Sequence, residues 1–185
     1  MMIVSYHSSW RRSAGCRRDE PWQRPDLSVT CKGAEAPDVN GVHFMKGFIY
    51  NGPGSFELKE IPMETCGDND VILKNIYAGV CGSDVTAYKS GGDFMRLFPG
   101  MEMGHECVSE VVEVGKNVEG IAVGDRVFPY PIFAKDDTKR SGSMGAFSQY
   151  IHVPNCKLDH SVYKVDDTIS DKVASIIEQI GRAHV

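Results

Sequence analysis

The sequence lacks several features that would place it in a familiar class. Its six cysteines form no C-x-x-C pair, which disfavours a zinc knuckle or a thioredoxin-type redox site. Its apolar runs are far too short to span a bilayer. The opening stretch MMIVSYHSSWRR has no apolar core of a secretory signal, so we predict a cytoplasmic protein with reduced thiols. The net charge is -5 with no long basic run past residue 24, so nothing favours nucleic acid or a membrane as a partner.

Changes in residue composition along the sequence divide the chain into three unequal segments. Residues 1–44 are rich in Arg, Pro and Ser and show the periodicity of neither a strand nor a helix. We predict a disordered or non-native leader there, with a divergent native N-terminus as the alternative, and a folded domain over 45–178. Residues 179–185, QIGRAHV, are what the start of a common sequencing-adapter oligonucleotide encodes. We therefore predict an artefactual tail over 179–185.

Short strand patterns separated by Gly, Asp and Asn turns dominate the middle segment. In order they are KGFIY (46–50), FELKEI (56–61), VILKNIYAGV (71–80), HECVSEVVEVG (105–115), DRVFPY (125–130) and FSQYIHV (147–153). Many short strands with little helix predict a mainly β fold, either a barrel or a sandwich. In 105–115 the alternation slips near Val111 and Val112, which predicts a bulge or burial on both faces.

One set of side chains suggests chemistry. AGVCGSD (78–84) places Cys81 just after a strand, and GHE places His105 and Glu106 at the start of another. Cys sulfur, His nitrogen and carboxylate oxygen together suit Zn²⁺ better than Mg²⁺ or Ca²⁺, which prefer oxygen only. Adjacent residues of a regular strand point to opposite faces. His105 and Glu106 can therefore share a metal only if the strand begins irregularly; otherwise Glu106 stands behind the metal and tunes it.

The spacing alone is weak evidence for a metal. A single Cys near a strand end is more often a small buried hydrophobic residue, and a single His is more often a surface or satisfied core residue. We expect Cys66, Cys107 and Cys156 to be packing or surface thiols.

The flanking residues strengthen the metal hypothesis. NIYAGVCGSDVTAY, followed by FPGMEMGHECVSEVVEVGKNVEGIAVGDRVFPYP, resembles the catalytic domain of the zinc-dependent medium-chain alcohol dehydrogenases. C-G-S-D together with G-H-E is most similar to the sorbitol and threonine dehydrogenase branch. The resemblance covers residues 45–178 and implies a GroES-like, partly open β-barrel with short helices. It also implies a Rossmann domain that follows in family members and that this chain lacks.

The resemblance also implies roles for individual residues. Cys81 and His105 would be zinc ligands, and Glu106 would be a ligand or stand directly behind the metal. Glu178, in IIE, matches a carboxylate that polyol-type members bring from the end of the domain. Ser83 matches the hydroxyl that hands the substrate proton toward solvent. The implied reaction is hydride transfer from a small alcohol or polyol to NAD(P), with zinc as a Lewis acid that lowers the pKa of the bound alcohol.

Four departures from the family pattern limit these expectations. Thr86 stands where many members have a His, and Ser109 replaces a usual Gly. Residues 131–146 contain no cysteine, so we predict one catalytic zinc and no structural zinc. No G-x-G-x-x-G follows a strand, so NAD or NADP should bind only through the missing domain, and this polypeptide alone should be inactive. Family members assemble mainly through that domain, so a homo-oligomer is expected only of the full-length enzyme.

Two alternatives stay open. One is a metal-free GroES-like barrel of the quinone-reductase type, and the presence of all three donor residues counts against it. The other is a non-catalytic binding module, like the co-chaperonin after which the barrel is named.

Overall fold

The computed structural model describes residues 3–5, 42–135 and 142–182, and its strands form two antiparallel sheets. The larger sheet has six strands in the order β1-β4-β5-β6-β8, with β7 also paired to β4. The smaller sheet is the hairpin β2–β3. The strands are β1 (Ile3–Ser5), β2 (Phe44–Gly52), β3 (Ser55–Pro62), β4 (Val71–Gly79), β5 (Glu106–Val114), β6 (Arg126–Pro129), β7 (Tyr150–Val153) and β8 (Val162–Lys164).

Three short α-helices and one 3₁₀ turn complete the described fold. They are α1 (Gly82–Ser90), the 3₁₀ turn (Asp93–Met95), α2 (Asp171–Ala174) and α3 (Ile177–Arg182). Within the described ranges, every helix is too short or too polar to cross a membrane. The sheets do not close on themselves, so the prediction of a mainly β, partly open architecture is confirmed.

The predicted slip in the 105–115 strand is confirmed as a β-bulge. The pairing of β4 with β5 passes from Ile72↔Glu113 to Leu73↔Val111, which leaves Val112 without a partner. Burial on both faces is also observed. Cys107 packs in the larger core cluster, and Val108 packs in a second cluster on the opposite face of β5.

The second cluster, which contains Val108 of β5, positions helices α2 and α3. Ala174 of α2 is fully buried against Val108 of β5. This contact holds α2, and α3 after it, close to the beginning of β5.

The predicted leader is described only in part. Residues 3–5 pair antiparallel with residues 77–79 of β4, and β2 begins at Phe44. Residues 6–41 lie outside the described residues. The boundary between leader and domain at residue 44 therefore stays a prediction. The artefactual origin of residues 179–185 also stays a prediction, and the first four of these residues belong to α3.

Ser109, the departure from the family glycine, has a specific partner. Its hydroxyl donates to Oδ1 of Asn75 at 2.7 Å, and both residues are buried. The Asn75 amide in turn donates to the carbonyl of Ser148 at 2.6 Å and to that of Ala146 at 3.2 Å. The hydroxyl thus completes a buried hydrogen-bond network that joins β5, β4 and the segment before β7, and it leaves no acceptor of Asn75 unpaired.

Candidate metal centre

The end of β4 and the beginning of β5 lie side by side. Gly79 pairs with Glu106 across the two strands, and Cys81 follows two residues after Gly79. A Cβ at Gly79 would lie 2.8 Å from Oε2 of Glu106, so the glycine leaves the space that this carboxylate occupies next to β4. The register of the two strands therefore brings the C-G-S-D and G-H-E segments together.

Cys81 is the N-cap of α1. Its backbone N–H donates to Oδ2 of Asp84 at 2.9 Å, three residues further on. Asp84 sits in the first turn of the helix, where a carboxylate is stabilised by the helix dipole. This local bond fixes the start of the helix and, with it, the position of the Cys81 side chain.

The strand carrying the histidine begins irregularly, as sharing of a metal requires. β5 starts at Glu106, so His105 lies just outside the regular strand. Gly104 before it has φ +99°, a conformation that favours glycine, and its carbonyl accepts bonds from Met144 and Ala146. His105 and Glu106 are both buried, with 4% and 1% of their surfaces exposed.

Three donor side chains converge at this place. One ligand atom each of Cys81, His105 and Glu106 lie within 4.8 Å of one another. Nε2 of His105 is 4.0 Å from Oε1 of Glu106. One sulfur, one imidazole and one carboxylate around a common space are a donor set that suits zinc and leaves room for a further ligand. The residues present therefore fit the metal that the sequence motifs imply.

Glu178 lies in α3 and is buried, with 5% of its surface exposed. Within the described part of the chain, the metal-competent group holds the other three predicted ligands and leaves Glu178 out. Its role as a ligand stays a prediction.

Asp84 is a site residue that the sequence reasoning did not single out. It is 2% exposed, and its Oδ1 lies 3.3 Å from Nδ1 of His105. Burial disfavours a charged imidazole, but the hydrogen bond and charge of Asp84, with a smaller contribution from Cys81, outweigh burial and raise the pKa of His105 to about 9. A carboxylate behind a ligating histidine orients the ring and makes the other nitrogen a better ligand. The C-G-S-D motif contained the signal, because the third residue after a helix N-cap is the usual partner of its N–H.

Ser83 and Thr86 differ in what their hydroxyls contact. Oγ of Ser83 lies 3.3 Å from Nε2 of His105, next to the three donors. The Thr86 hydroxyl instead donates to the carbonyl of Gly82 at 3.0 Å on an exposed face of α1. Thr86 therefore does not stand in for the histidine that many family members carry there.

One further side chain reaches the donors. Nε2 of Gln179 lies 2.6 Å from Sγ of Cys81 and 2.6 Å from Oε1 of Glu106. Sequence reasoning missed Gln179 because it falls in the predicted artefactual tail.

Comparison with known proteins identifies the family. The model of the alcohol dehydrogenase GroES-like domain matches residues 67–167, more than half of the chain. The chain belongs to this family. The match spans Cys81, Ser83, His105 and Glu106 and ends before Glu178. The GroES-like domain identified in this way is the N-terminal domain of the medium-chain dehydrogenase superfamily.

Curated relatives of this GroES-like domain include L-threonine 3-dehydrogenases. That of Pseudoalteromonas atlantica is 32% identical over an alignment of 143 residues, and the match covers 68% of this chain and 41% of the relative. That of Burkholderia cenocepacia is 31% identical over an alignment of 152 residues, and the match covers 73% of this chain and 43% of the relative. The chain thus spans less than half the length of the curated relatives it matches.

Solved structures agree with the family and its fold. The 2R,3R-butanediol dehydrogenase of Bacillus subtilis is similar with a TM-score of 0.62 and 27% identity, over 72% of this chain and 44% of that chain. The zinc-dependent alcohol dehydrogenase 2 of Streptococcus pneumonia has a TM-score of 0.62 at 21% identity, over 75% of this chain and 44% of that one. The second likeness shows the GroES-like fold alone.

Proposed function

We propose that this GroES-like domain is the zinc-bearing catalytic domain of an NAD(P)-dependent alcohol or polyol dehydrogenase. The observation that carries the proposal is the convergence of one Cys, one His and one Glu within 4.8 Å at the junction of β4, α1 and β5. The family match and the relation to threonine and butanediol dehydrogenases support the same reaction class.

In this proposal Cys81, His105 and Glu106 hold one zinc ion. Glu178 is retained as a further carboxylate for the metal, because it is buried and directly precedes Gln179, whose amide contacts two of the three donors. Bound zinc would act as a Lewis acid that lowers the pKa of the substrate hydroxyl. Ser83 would accept the substrate proton and pass it outward, since its hydroxyl lies at the donor cluster and is partly exposed.

The remaining parts of the proposal concern the whole enzyme. NAD or NADP would bind to a second domain, and this polypeptide alone would not turn over. The substrate would be a small alcohol or polyol, and full-length copies would form a homo-oligomer. A cytoplasmic setting is compatible with the thiols of the described cysteines Cys66, Cys81, Cys107 and Cys156, all of which are free.

Metal analysis of the purified chain tests the proposal. The chain expressed in zinc-supplemented medium and dialysed should retain one zinc per molecule, and Cys81→Ser should retain little or none because a hydroxyl is a poor zinc ligand. Cys66→Ser is the matched control, since Cys66 lies outside the donor group and should leave the zinc content unchanged. A folded, metal-free wild-type chain would instead support the quinone-reductase-like barrel or the binding module, and two zinc ions per chain would contradict the absence of a structural zinc.

A further inference from the structure

Strand β3 is the outer edge of the smaller sheet. Within the described ranges it pairs with β2 alone, while the other side of β2 bonds to the rest of the domain, as where the Gln149 N–H donates to the Lys46 carbonyl at 3.0 Å. Every residue of β3 except Ile61 is exposed, including Phe56 at 45% and Leu58 at 57%. An edge strand of this kind presents a row of backbone N–H and C=O groups on which another strand can pair.

The register of the hairpin determines which backbone groups of β3 face outward. The Met63 N–H, directly after β3, donates to the carbonyl of His43 at 2.8 Å, in line with the antiparallel register of β2 and β3. Hydrogen-bonded and non-hydrogen-bonded pairs alternate along such a ladder, so the odd-numbered residues of β3 bond to β2. The outward backbone groups therefore belong to the even-numbered residues Phe56, Leu58 and Glu60.

The charges on β3 favour one register for pairing with a second copy of the same strand. The antiparallel registers that pair most of β3 through its outward groups are centred on Glu57, Leu58 or Lys59. Centring on Glu57 or Lys59 sets that residue opposite its own copy, and like charges directly opposite each other are destabilising. Centring on Leu58 sets Glu57 of each copy opposite Lys59 of the other. Both side chains are about half exposed, at 50% and 48%, so both can reach a second strand.

We propose that two copies of this chain associate through their β3 edges, antiparallel about a two-fold axis at Leu58, and form a continuous four-stranded sheet. Two opposite-charge pairs then flank a contact between the two Leu58 side chains. The assembly stops at a dimer because each copy uses its one β3 edge. The contact is small, so the dimer belongs to the weak and reversible class. It does not depend on the metal centre or on a second domain.

Sedimentation velocity of the full chain tests the dimer at concentrations from about 10 μM to 1 mM, which cover the dissociation constants of weak contacts. The weight-average mass should rise toward twice that of one chain. Glu57→Lys alone and Lys59→Glu alone should each weaken association about tenfold, because two attractive pairs become two repulsive ones. An equimolar mixture of these two variants should regain the wild-type affinity, since the strands then carry opposite charges. Asp68→Lys and Lys116→Glu are the matched controls, because they make the same charge changes at another exposed pair and should associate like the wild type.

Strand pairing also predicts a backbone signature in the wild-type protein. Amide hydrogen exchange of Phe56, Leu58 and Glu60 should slow as the protein concentration rises, because these N–H groups become bonded in the dimer. The amides of Glu57 and Lys59 bond to β2 in the single chain and should exchange at a rate that does not depend on concentration. Equal exchange of all these amides at both ends of the concentration range would overturn the β3 pairing.

The sedimentation results separate this dimer from other forms of association. A wild-type chain that stays monomeric throughout the concentration range would overturn the proposal. Association that Glu57→Lys and Lys59→Glu leave unchanged would also overturn it, as would association that Asp68→Lys weakens equally, since net charge would then be the cause. A mixture of the two β3 variants that stays monomeric would overturn the Leu58 register. Thermal unfolding verifies that every variant is folded, and none of these outcomes bears on the zinc site.

Discussion

At the scale of single residues, the Asp84 carboxylate contacts two of the three metal-donor residues, Cys81 and His105. Asp84 accepts the backbone N–H of Cys81 through one oxygen and faces Nδ1 of His105 with the other. Among the described residues, neither that second oxygen nor Nδ1 has a well-aligned hydrogen bond, so the 3.3 Å contact between them is chiefly a charge interaction. It holds one side of the imidazole ring, while the Ser83 hydroxyl contacts the other nitrogen, Nε2.

Asp84→Asn should weaken zinc binding about 10- to 100-fold, the usual cost of losing a carboxylate behind a ligating histidine. The amide keeps the size of the side chain but loses the charge that orients the ring. Chelator competition measures the affinity, and Asp93→Asn is the control because Asp93 is exposed on the 3₁₀ turn. Unchanged affinity in Asp84→Asn would show that the ring is held by something other than Asp84.

The sequence pointed to three side chains that the structure brings together, but not to the residues that support them. Cys81, His105 and Glu106 lie in short motifs with metal-ligating chemistry, and these motifs lie at the neighbouring ends of two paired strands, β4 and β5. Asp84 is a buried charge on a helix whose only other buried residue is Ala87, so hydrophobic periodicity could not find α1. Gln179 reaches the site through the packing of α2 on β5, a long-range contact that no local pattern encodes.

At the scale of secondary-structure elements, Asp70 ties together the turns around β4. Its Oδ1 accepts the backbone N–H of Asn155 at 2.9 Å, and its Oδ2 accepts that of Gly67 at 3.1 Å. Oδ2 also lies 2.9 Å from Nε2 of His152 in β7. Burial alone would raise the pKa of Asp70, but these three hydrogen bonds and the charge of His152 hold it below the ordinary value.

The lowered pKa of Asp70 predicts how its contribution to the free energy of unfolding changes with pH. Because the folded pKa of Asp70 lies below the unfolded one, its stabilisation is complete above the unfolded pKa of about 3.9 and is lost as pH falls through the folded pKa. Asp70→Asn should lower the free energy of unfolding by about 1–3 kcal/mol at neutral pH. The difference from wild type should shrink below about pH 4.

Urea unfolding across this pH range measures both effects. Asp68→Asn is the matched control, because Asp68 is 61% exposed in a surface pair with Lys116 and should contribute little. A pH-independent difference between wild type and Asp70→Asn would assign the loss to packing rather than to the carboxylate.

At the scale of the whole molecule, one arginine connects the sheet to the final helices. Nη1 of Arg126 in β6 pairs with Asp171 at 2.8 Å. Its Nη2 donates to the carbonyls of Asp166 at 2.6 Å and Ile169 at 2.7 Å. The segment that carries Glu178 and Gln179 is thus held by polar contacts at β6 as well as by the packing of Ala174 on β5.

Arg126→Met keeps an unbranched apolar stem in place of the arginine and removes the three polar contacts. The free energy of unfolding should fall by about 1–2 kcal/mol, since the pair is partly exposed and screened by solvent. Backbone hydrogen exchange should accelerate in 166–182, while β4 and β5 change little. Lys164→Met is the control, because the Lys164 side chain is 47% exposed, against 21% for Arg126. Equal exchange in 166–182 would show that the Ala174 contact alone holds this segment.

Much of the fold could be predicted from the sequence, but strand pairing could not. The six strand patterns and the bulge at Val112 follow from alternation and turn residues, which are local. The pairing of β4 with both β5 and β7 joins residues far apart in sequence. β8 has three residues, too few for a pattern to stand out from its neighbours.

The central claim is a mixed zinc site with a single sulfur ligand, and zinc X-ray absorption on the purified chain tests it most directly. We predict one sulfur at about 2.3 Å, with the remaining ligands being nitrogen or oxygen at about 2.0–2.1 Å. Cys81→Ser should abolish the sulfur contribution. Two or more sulfur ligands, or bound zinc with no sulfur ligand in the wild type, would contradict the assignment of Cys81, His105 and Glu106 as the metal centre.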